Sequence, residues 1–243
     1  MRITFIGTSH GVPEPNRKCS CTLIEIADRK YLIDVGTDPT PELVKRGIHP
    51  NQISAVFVTH SHGDHLNGIV PFVNLLSWHY LEANPHFFLP EIHVVDALKA
   101  FISAEHDTLR ENLRFTEIHE GVIYDDGVLR LSALRTGHIP NAYAFLWEAE
   151  GKRVLFTGDM KHRDGPTADY ARFTAEGHFD LVVAECAHFD AMLYLEPIRK
   201  NPPARFCFNH YSNRFVESCH HLRVMLKDEL PVTLVTDGYE IAL

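Results

Sequence analysis

Short runs of aliphatic and aromatic residues recur along the whole chain, each bounded by Gly, Pro, Asp or Asn, which is the pattern of strands separated by turns. They predict strands at Ile3–Gly7, Cys21–Ile26, Tyr31–Val35, Ala55–Thr59, Ile92–Val95, Leu129–Arg135, Ala142–Glu148, Arg153–Thr157, Leu181–Ala184, Arg205–Phe208 and Val232–Val235. Helical spacing falls between them. It predicts helices over Gly68–Leu81 with Pro71 in the first turn, Asp96–His106 with Asp96 as N-cap, and Asn213–Lys227, where Phe215, Cys219, Leu222 and Leu226 face the core. Meandering strands early and helices interleaved later point to an α/β fold of sheets covered by helices, not a simple βαβ repeat. No repeat, low-complexity tract or linker divides the 243 residues, so one domain over residues 1–243 is expected.

Composition then narrows the class. Hydrophobic residues are 45% and charged residues 23%, as in soluble globular proteins. No apolar run approaches the roughly 18 residues of a membrane span. Met1-Arg2 leads straight into a strand-like segment and not a signal peptide, so a cytoplasmic location and no membrane partner are expected. The five cysteines are odd in number and form no C-x-x-C pair, which favours reduced thiols. With 23 Lys+Arg against 32 Asp+Glu, the net charge of −9 disfavours broad binding to nucleic acid. The 17 histidines change the picture, because imidazole is the commonest metal ligand.

They concentrate in Thr59-His60-Ser61-His62-Gly63-Asp64-His65, directly after the buried-looking Ala55-Val56-Phe57-Val58. Three imidazoles and a carboxylate within six residues would repel and desolvate one another as cations. As neutral nitrogens and an anionic oxygen they suit a divalent metal. His60 and His62 on an extended segment point the same way, and the turn at Gly63 lets Asp64 and His65 approach from another side. That arrangement can serve two adjacent ions. A solvated loop that happens to be rich in histidine is the bland alternative, and the spacing argues against it.

The H-x-H-x-D-H spacing after a strand resembles the signature of the metallo-β-lactamase superfamily of hydrolases. The resemblance continues in Arg135-Thr136-Gly137-His138, Phe156-Thr157-Gly158-Asp159 and Cys207-Phe208-Asn209-His210, each after a predicted strand. It implies a four-layer αββα sandwich, with His60, His62 and His138 on one metal ion, Asp64, His65 and His210 on a second, and Asp159 bridging both. A metal-bridging hydroxide would then be the nucleophile. Zinc is the expected metal, and manganese or iron also accept such mixed ligands. His62, where the redox di-iron members have glutamate, disfavours oxygen chemistry. Asp34, in Leu32-Ile33-Asp34-Val35-Gly36, matches a position that orients the histidines from behind.

Within the superfamily, Gly7-Thr8-Ser9-His10-Gly11-Val12-Pro13 and Pro15-Asn16-Arg17-Lys18-Cys19-Ser20 resemble the opening of the ribonuclease Z group. His210-Tyr211-Ser212-Asn213-Arg214-Phe215 resembles its closing run. Ser212 and Arg214 are therefore expected at a phosphoryl oxygen and His10 at the pocket wall. Three departures cut against transfer-RNA processing: no Gly/Pro-rich basic insertion supplies an RNA-gripping arm, the charge balance is acidic, and the histidine of the proton-donating motif is missing from Ala184-Glu185-Cys186-Ala187. His188 stands instead where the phosphodiesterase of phosphonate degradation has a histidine. It is expected as general acid for the leaving alkoxide with Glu185 behind it, while Asp64 doubles as base for the water.

The function this points to is a dimetal hydrolase acting on a small phosphodiester, a cyclic phosphate or nucleotide-like compound, with no large nucleic acid as partner. Carboxyl-ester, lactone or thioester hydrolysis on the same ligands is the alternative, with transfer-RNA 3′ processing and a non-catalytic metal-binding module behind it. Residues 68–126, with Trp78, Tyr80 and Phe87, are expected as lid or dimer contact. Related proteins are commonly dimers, which leaves a homodimer open. His49, His79, His86, His93, His106, His119, His162, His178, His220 and His221 carry no motif.

Overall fold

The computed structural model describes residues 1–12, 14–160, 166–175 and 177–243, so Pro13 of the first loop and His162 lie outside the described residues. The early apolar runs form β1 (Arg2–Gly7), β2 (Cys21–Ile26), β3 (Arg29–Ile33), β4 (Ile53–Phe57), β5 (His86–Leu89) and β6 (Arg114–Glu117). The later ones form β7 (Gly121–Asp125), β8 (Arg130–Arg135), β9 (Tyr143–Ala149), β10 (Lys152–Phe156), β11 (Leu181–Cys186), β12 (Phe206–Tyr211) and β13 (Val232–Leu234), and β14 (Glu240–Ala242) returns to pair with β1. Among the described residues these make two seven-stranded sheets, ordered β14-β1-β2-β3-β4-β5-β6 and β13-β12-β11-β10-β9-β8-β7. The helices are α1 (Thr40–Lys45), α2 (Gly63–Leu66), α3 (Ile69–Trp78), α4 (Val94–Ala104), α5 (Pro166–Thr174), α6 (Leu195–Lys200) and α7 (Val216–Met225).

Strand alternation sorts the apolar side chains into three layers. Phe5, Tyr31, Phe57, Phe145, Trp147 and Phe156 fill the space between the sheets. On the outer face of the first sheet Val56 and Phe87 meet Phe72 and Leu76 of α3 and Leu98 and Ile102 of α4. On the outer face of the second, Val182 and Phe208 meet Tyr170 of α5, Ile198 of α6 and Leu222 of α7. The order is helix, sheet, sheet, helix. Central strands buried on both faces read as unbroken apolar runs, and burial at Ala55, Val56 and Phe57 shows why β4 does.

Strand direction gathers the site. β3 and β4 run parallel. β8 and β10 both pair antiparallel with β9, and β11 and β12 continue parallel to β10. The segments after β8, β10, β11 and β12 therefore leave the second sheet at one edge.

Ile92–Val95 is not a strand. The strand of that region is β5, which ends before Pro90, and Val94 and Val95 open α4, whose N-cap is His93. A short β-branched run reads equally well as a strand or a helix start. Asp96 lies inside the first turn of α4, where a carboxylate suits the helix dipole, and not at the cap. Phe87 is buried between Phe72 and Phe115, so it belongs to the sheet and neither to a lid nor to a dimer contact, whereas Trp78 is exposed. No described helix is long and apolar enough to cross a membrane.

Candidate metal centre

Asp34 follows β3 with φ +57°, a left-handed conformation that a non-glycine residue adopts only under constraint. The constraint is visible. Its Oδ1 accepts the Thr59 N–H at 2.8 Å and the Thr59 hydroxyl at 3.0 Å, while Oδ2 lies 2.7 Å from His65 Nδ1. Thr59 in turn accepts the Tyr143 N–H of β9 at 3.0 Å, which ties the first sheet to the second beside the cluster. Gly158 sets Asp159: its φ is +55°, and a Cβ there would fall 2.5 Å from the Tyr143 carbonyl oxygen.

The residues converge in two groups. His62 Nδ1 lies 3.0 Å from His60 Nε2 and 3.1 Å from His138 Nε2, and Asp159 Oδ2 lies 3.6 and 3.7 Å from those two Nε2 atoms. Across Asp159, the Oδ2 of Asp64 is 3.5 Å from the Nε2 of both His65 and His210. Asp159 reaches this second group as well, with Oδ1 3.5 Å from His65 and Oδ2 3.4 Å from His210. The ligand atoms of His60, His62, His138 and Asp159 lie within 4.8 Å of one another, as do those of Asp64, His65 and His210.

These donors fit a pair of divalent ions. His65 Nε2 and Asp159 Oδ1 are buried and have no hydrogen-bond partner, an arrangement costly for a protein unless a cation completes it. Burial and the His65 ring push His60 down to about 2, and burial pushes His138 down to about 4 despite Asp159, so both rings are neutral lone-pair donors at neutral pH. Burial opposes ionisation of Asp159, but His210 and His65 hold its carboxyl well below the usual carboxylate range.

His188 stands beside this cluster. Glu185, at the end of β11, accepts the Met160 N–H at 2.6 Å on Oε1 and the Ala187 N–H at 3.0 Å on Oε2. That Oε2 lies 2.8 Å from His188 Nδ1, and the other ring nitrogen, Nε2, is 3.9 Å from Asp159. Burial disfavours the imidazolium, but Glu185 outweighs it and raises His188 to about 9.

The remaining expected contacts are looser. His10 accepts the Val12 N–H on Nδ1 and has Nε2 3.3 Å from Glu14, so both nitrogens are engaged within its own loop. Ser212 is buried and donates its N–H to the Cys186 carbonyl at 3.2 Å. Arg214 is exposed, its guanidinium 5.0 Å from the Phe215 ring centre. Three positioning residues escaped the sequence reading. Thr59, whose only signal is that it precedes the histidine run, lies 3.1 Å from His60 Nδ1. Asp169 of α5 accepts the Gly137 N–H at 2.8 Å beside His138, and Arg17 donates to the Tyr211 carbonyl next to His210.

Residues 1–192 match the family described as Anti-Pycsar protein Apyc1. The chain belongs to this family. The Apyc1 match takes in every residue from His60 to His188 and ends before His210. A ribonuclease Z of Crocosphaera subtropica is 33% identical over 151 residues, 60% of this chain and 47% of that one, so the chain spans about half the length of that relative. Among solved structures, the metallo-β-lactamase fold protein YhfI of Bacillus subtilis matches with a TM-score of 0.79 at 18% identity over 99% of both chains. A diphosphatase of the PhnP family matches at 0.67 and 15% identity, covering 100% of this chain and 97% of its own. The fold of this Apyc1-family chain is thus the metallo-β-lactamase sandwich, and the chain is ribonuclease Z-like within it.

Proposed function

We propose that the chain hydrolyses a small phosphodiester, a cyclic phosphate or nucleotide-like compound, at the cluster centred on Asp159. His60, His62, His138 and Asp159 hold one divalent ion in this reading, and Asp64, His65, His210 and Asp159 a second. When bound, such ions activate the attacking water and offset negative charge on the phosphoryl oxygens. The observation that carries the phosphodiester reading is the position of His188, whose Nδ1 faces Glu185 at 2.8 Å and whose Nε2 lies 3.9 Å from Asp159, with Glu185 outweighing burial to raise its pKa to about 9. In its protonated form His188 attracts an anionic diester and gives its Nε2 proton to the leaving alkoxide in this reading. Asp64 takes the proton of the attacking water, Asp34 fixes the His65 ring, and Ser212 and Arg214 meet a phosphoryl oxygen. His10 contributes to the wall through its ring, since its nitrogens are engaged. The named activities of a ribonuclease Z relative and a diphosphatase neighbour agree with phosphoric ester chemistry. The net charge of −9 opposes a long polyanion and supports a small substrate.

The test loads the protein separately with zinc and manganese and compares bis-p-nitrophenyl phosphate with p-nitrophenyl acetate and a lactone, with Asp64→Ala as the blank. Metal-dependent diester turnover that disappears in Asp64→Ala is the expected result. Turnover of the ester or lactone alone overturns the phosphodiester reading.

A further inference from the structure

Side chains along β12 should alternate between the faces of the second sheet. Cys207 packs between the sheets and Phe208 among the helices, so regular alternation would send Asn209 between the sheets and His210 among the helices. The strand breaks that rule. The register against β11 shifts between Ala184 and Cys186, and His210 takes φ +55°. The irregularity turns His210 toward Asp159, onto the side that Asn209 already occupies.

Both side chains line a cavity of about 30 Å³, together with His65 and Asp159 of the cluster, Thr22 and Ile33 from the first sheet and Val183 from the second. Asn209 is 7% exposed and His210 5%. Asn209 Oδ1 and His210 Nδ1 are buried, and neither has a hydrogen-bond partner. Buried polar atoms in folded proteins are almost always paired, and a polar cavity of this size has room for one water molecule.

We propose that a single water molecule buried in this cavity accepts the Nδ1–H of His210 and donates to Asn209 Oδ1, which makes Asn209 the positioning residue for His210. A histidine that offers Nε2 to a metal carries its proton on Nδ1 and keeps its orientation by donating that proton. His65 faces Asp34 in this way, and His60 faces Thr59. The water gives His210 the equivalent support. The inference rests on the reading of His210 as a ligand of the second ion.

Two measurements on the zinc-loaded full chain test it. A high-resolution crystal structure is expected to show one ordered water between His210 Nδ1 and Asn209 Oδ1. Zinc titration calorimetry on Asn209→Leu, which keeps the bulk and removes the acceptor, is expected to show the second ion weakened about ten-fold or more and the first unchanged. Asn209→Asp, which restores an oxygen, recovers the affinity. Zinc at His210 with no water beneath it, or a second-ion affinity in Asn209→Leu equal to that of the parent, overturns the inference and leaves the metal reading standing. Absence of zinc at His210 in the parent overturns both. Should Asn209→Leu fail to fold, the crystal structure decides alone.

Discussion

Glu185 faces His188 Nδ1 at 2.8 Å and raises its pKa, and in the proposed reaction the contribution of His188 depends on the leaving group. Removing a general acid costs about 10²–10⁴ in kcat when the departing oxygen is a basic alkoxide. p-Nitrophenolate leaves without a proton, so His188→Ala should slow an alkyl phosphodiester by that factor and the nitrophenyl diester far less, with metal content unchanged. The acid must be protonated to act, so activity falls as pH rises through a pKa raised to about 9. Glu185→Gln removes the charge that raises it and should move the alkaline fall to lower pH, which a pH–rate profile reads directly. The cluster itself was legible because four of its candidate metal-binding residues lie within six positions. Asp169 and Arg17 were not, because what each supports is set by tertiary contact: Asp169 meets a backbone N–H 32 positions away and Arg17 a carbonyl 194 positions away.

At the scale of elements, the β7–β8 hairpin is tied to the first sheet through Asp126. Its carboxylate accepts from Val128 N–H at 2.9 Å, Leu129 N–H at 2.8 Å, the Tyr124 hydroxyl at 3.1 Å and, across the sheets, the Tyr31 hydroxyl at 2.7 Å. Burial opposes ionisation, but these donors hold the pKa below its ordinary 3.8. A depressed carboxyl contributes stability that is complete above its unfolded pKa and fades as pH falls through the folded one. Asp126→Asn should cost about 1–3 kcal/mol in urea unfolding at pH 7, and that difference should shrink in strong acid. No local signal announced this tie, since Asp-Gly before Val128 reads only as a turn. Long apolar runs such as Cys21–Ile26 were read to the residue. β5, β6, β7 and β14 were not anticipated, because each is three to five residues long and β6 and β7 expose much of their length to solvent.

At the scale of the whole molecule, each proposed ion draws ligands from both sheets. The segment after β4 brings His60 and His62, α2 brings Asp64 and His65, and the second sheet brings His138, Asp159 and His210. Ions bound only by the folded arrangement stabilise it by linkage, about 2.7 kcal/mol for one ion at a hundred times its Kd. Chelation should therefore lower Tm by roughly 5–10 °C for a chain of this size, and differential scanning fluorimetry with zinc returned should recover it. The chain passes from the first sheet to the second at Ile118–Glu120, between β6 and β7, and returns to the first between β13 and β14. Cut between β6 and β7, neither fragment would carry the full ligand set of either ion. The proposed metal centre is in effect a two-key lock, and metal would tighten the association of a pair of split fragments that already share the β1–β14 pairing.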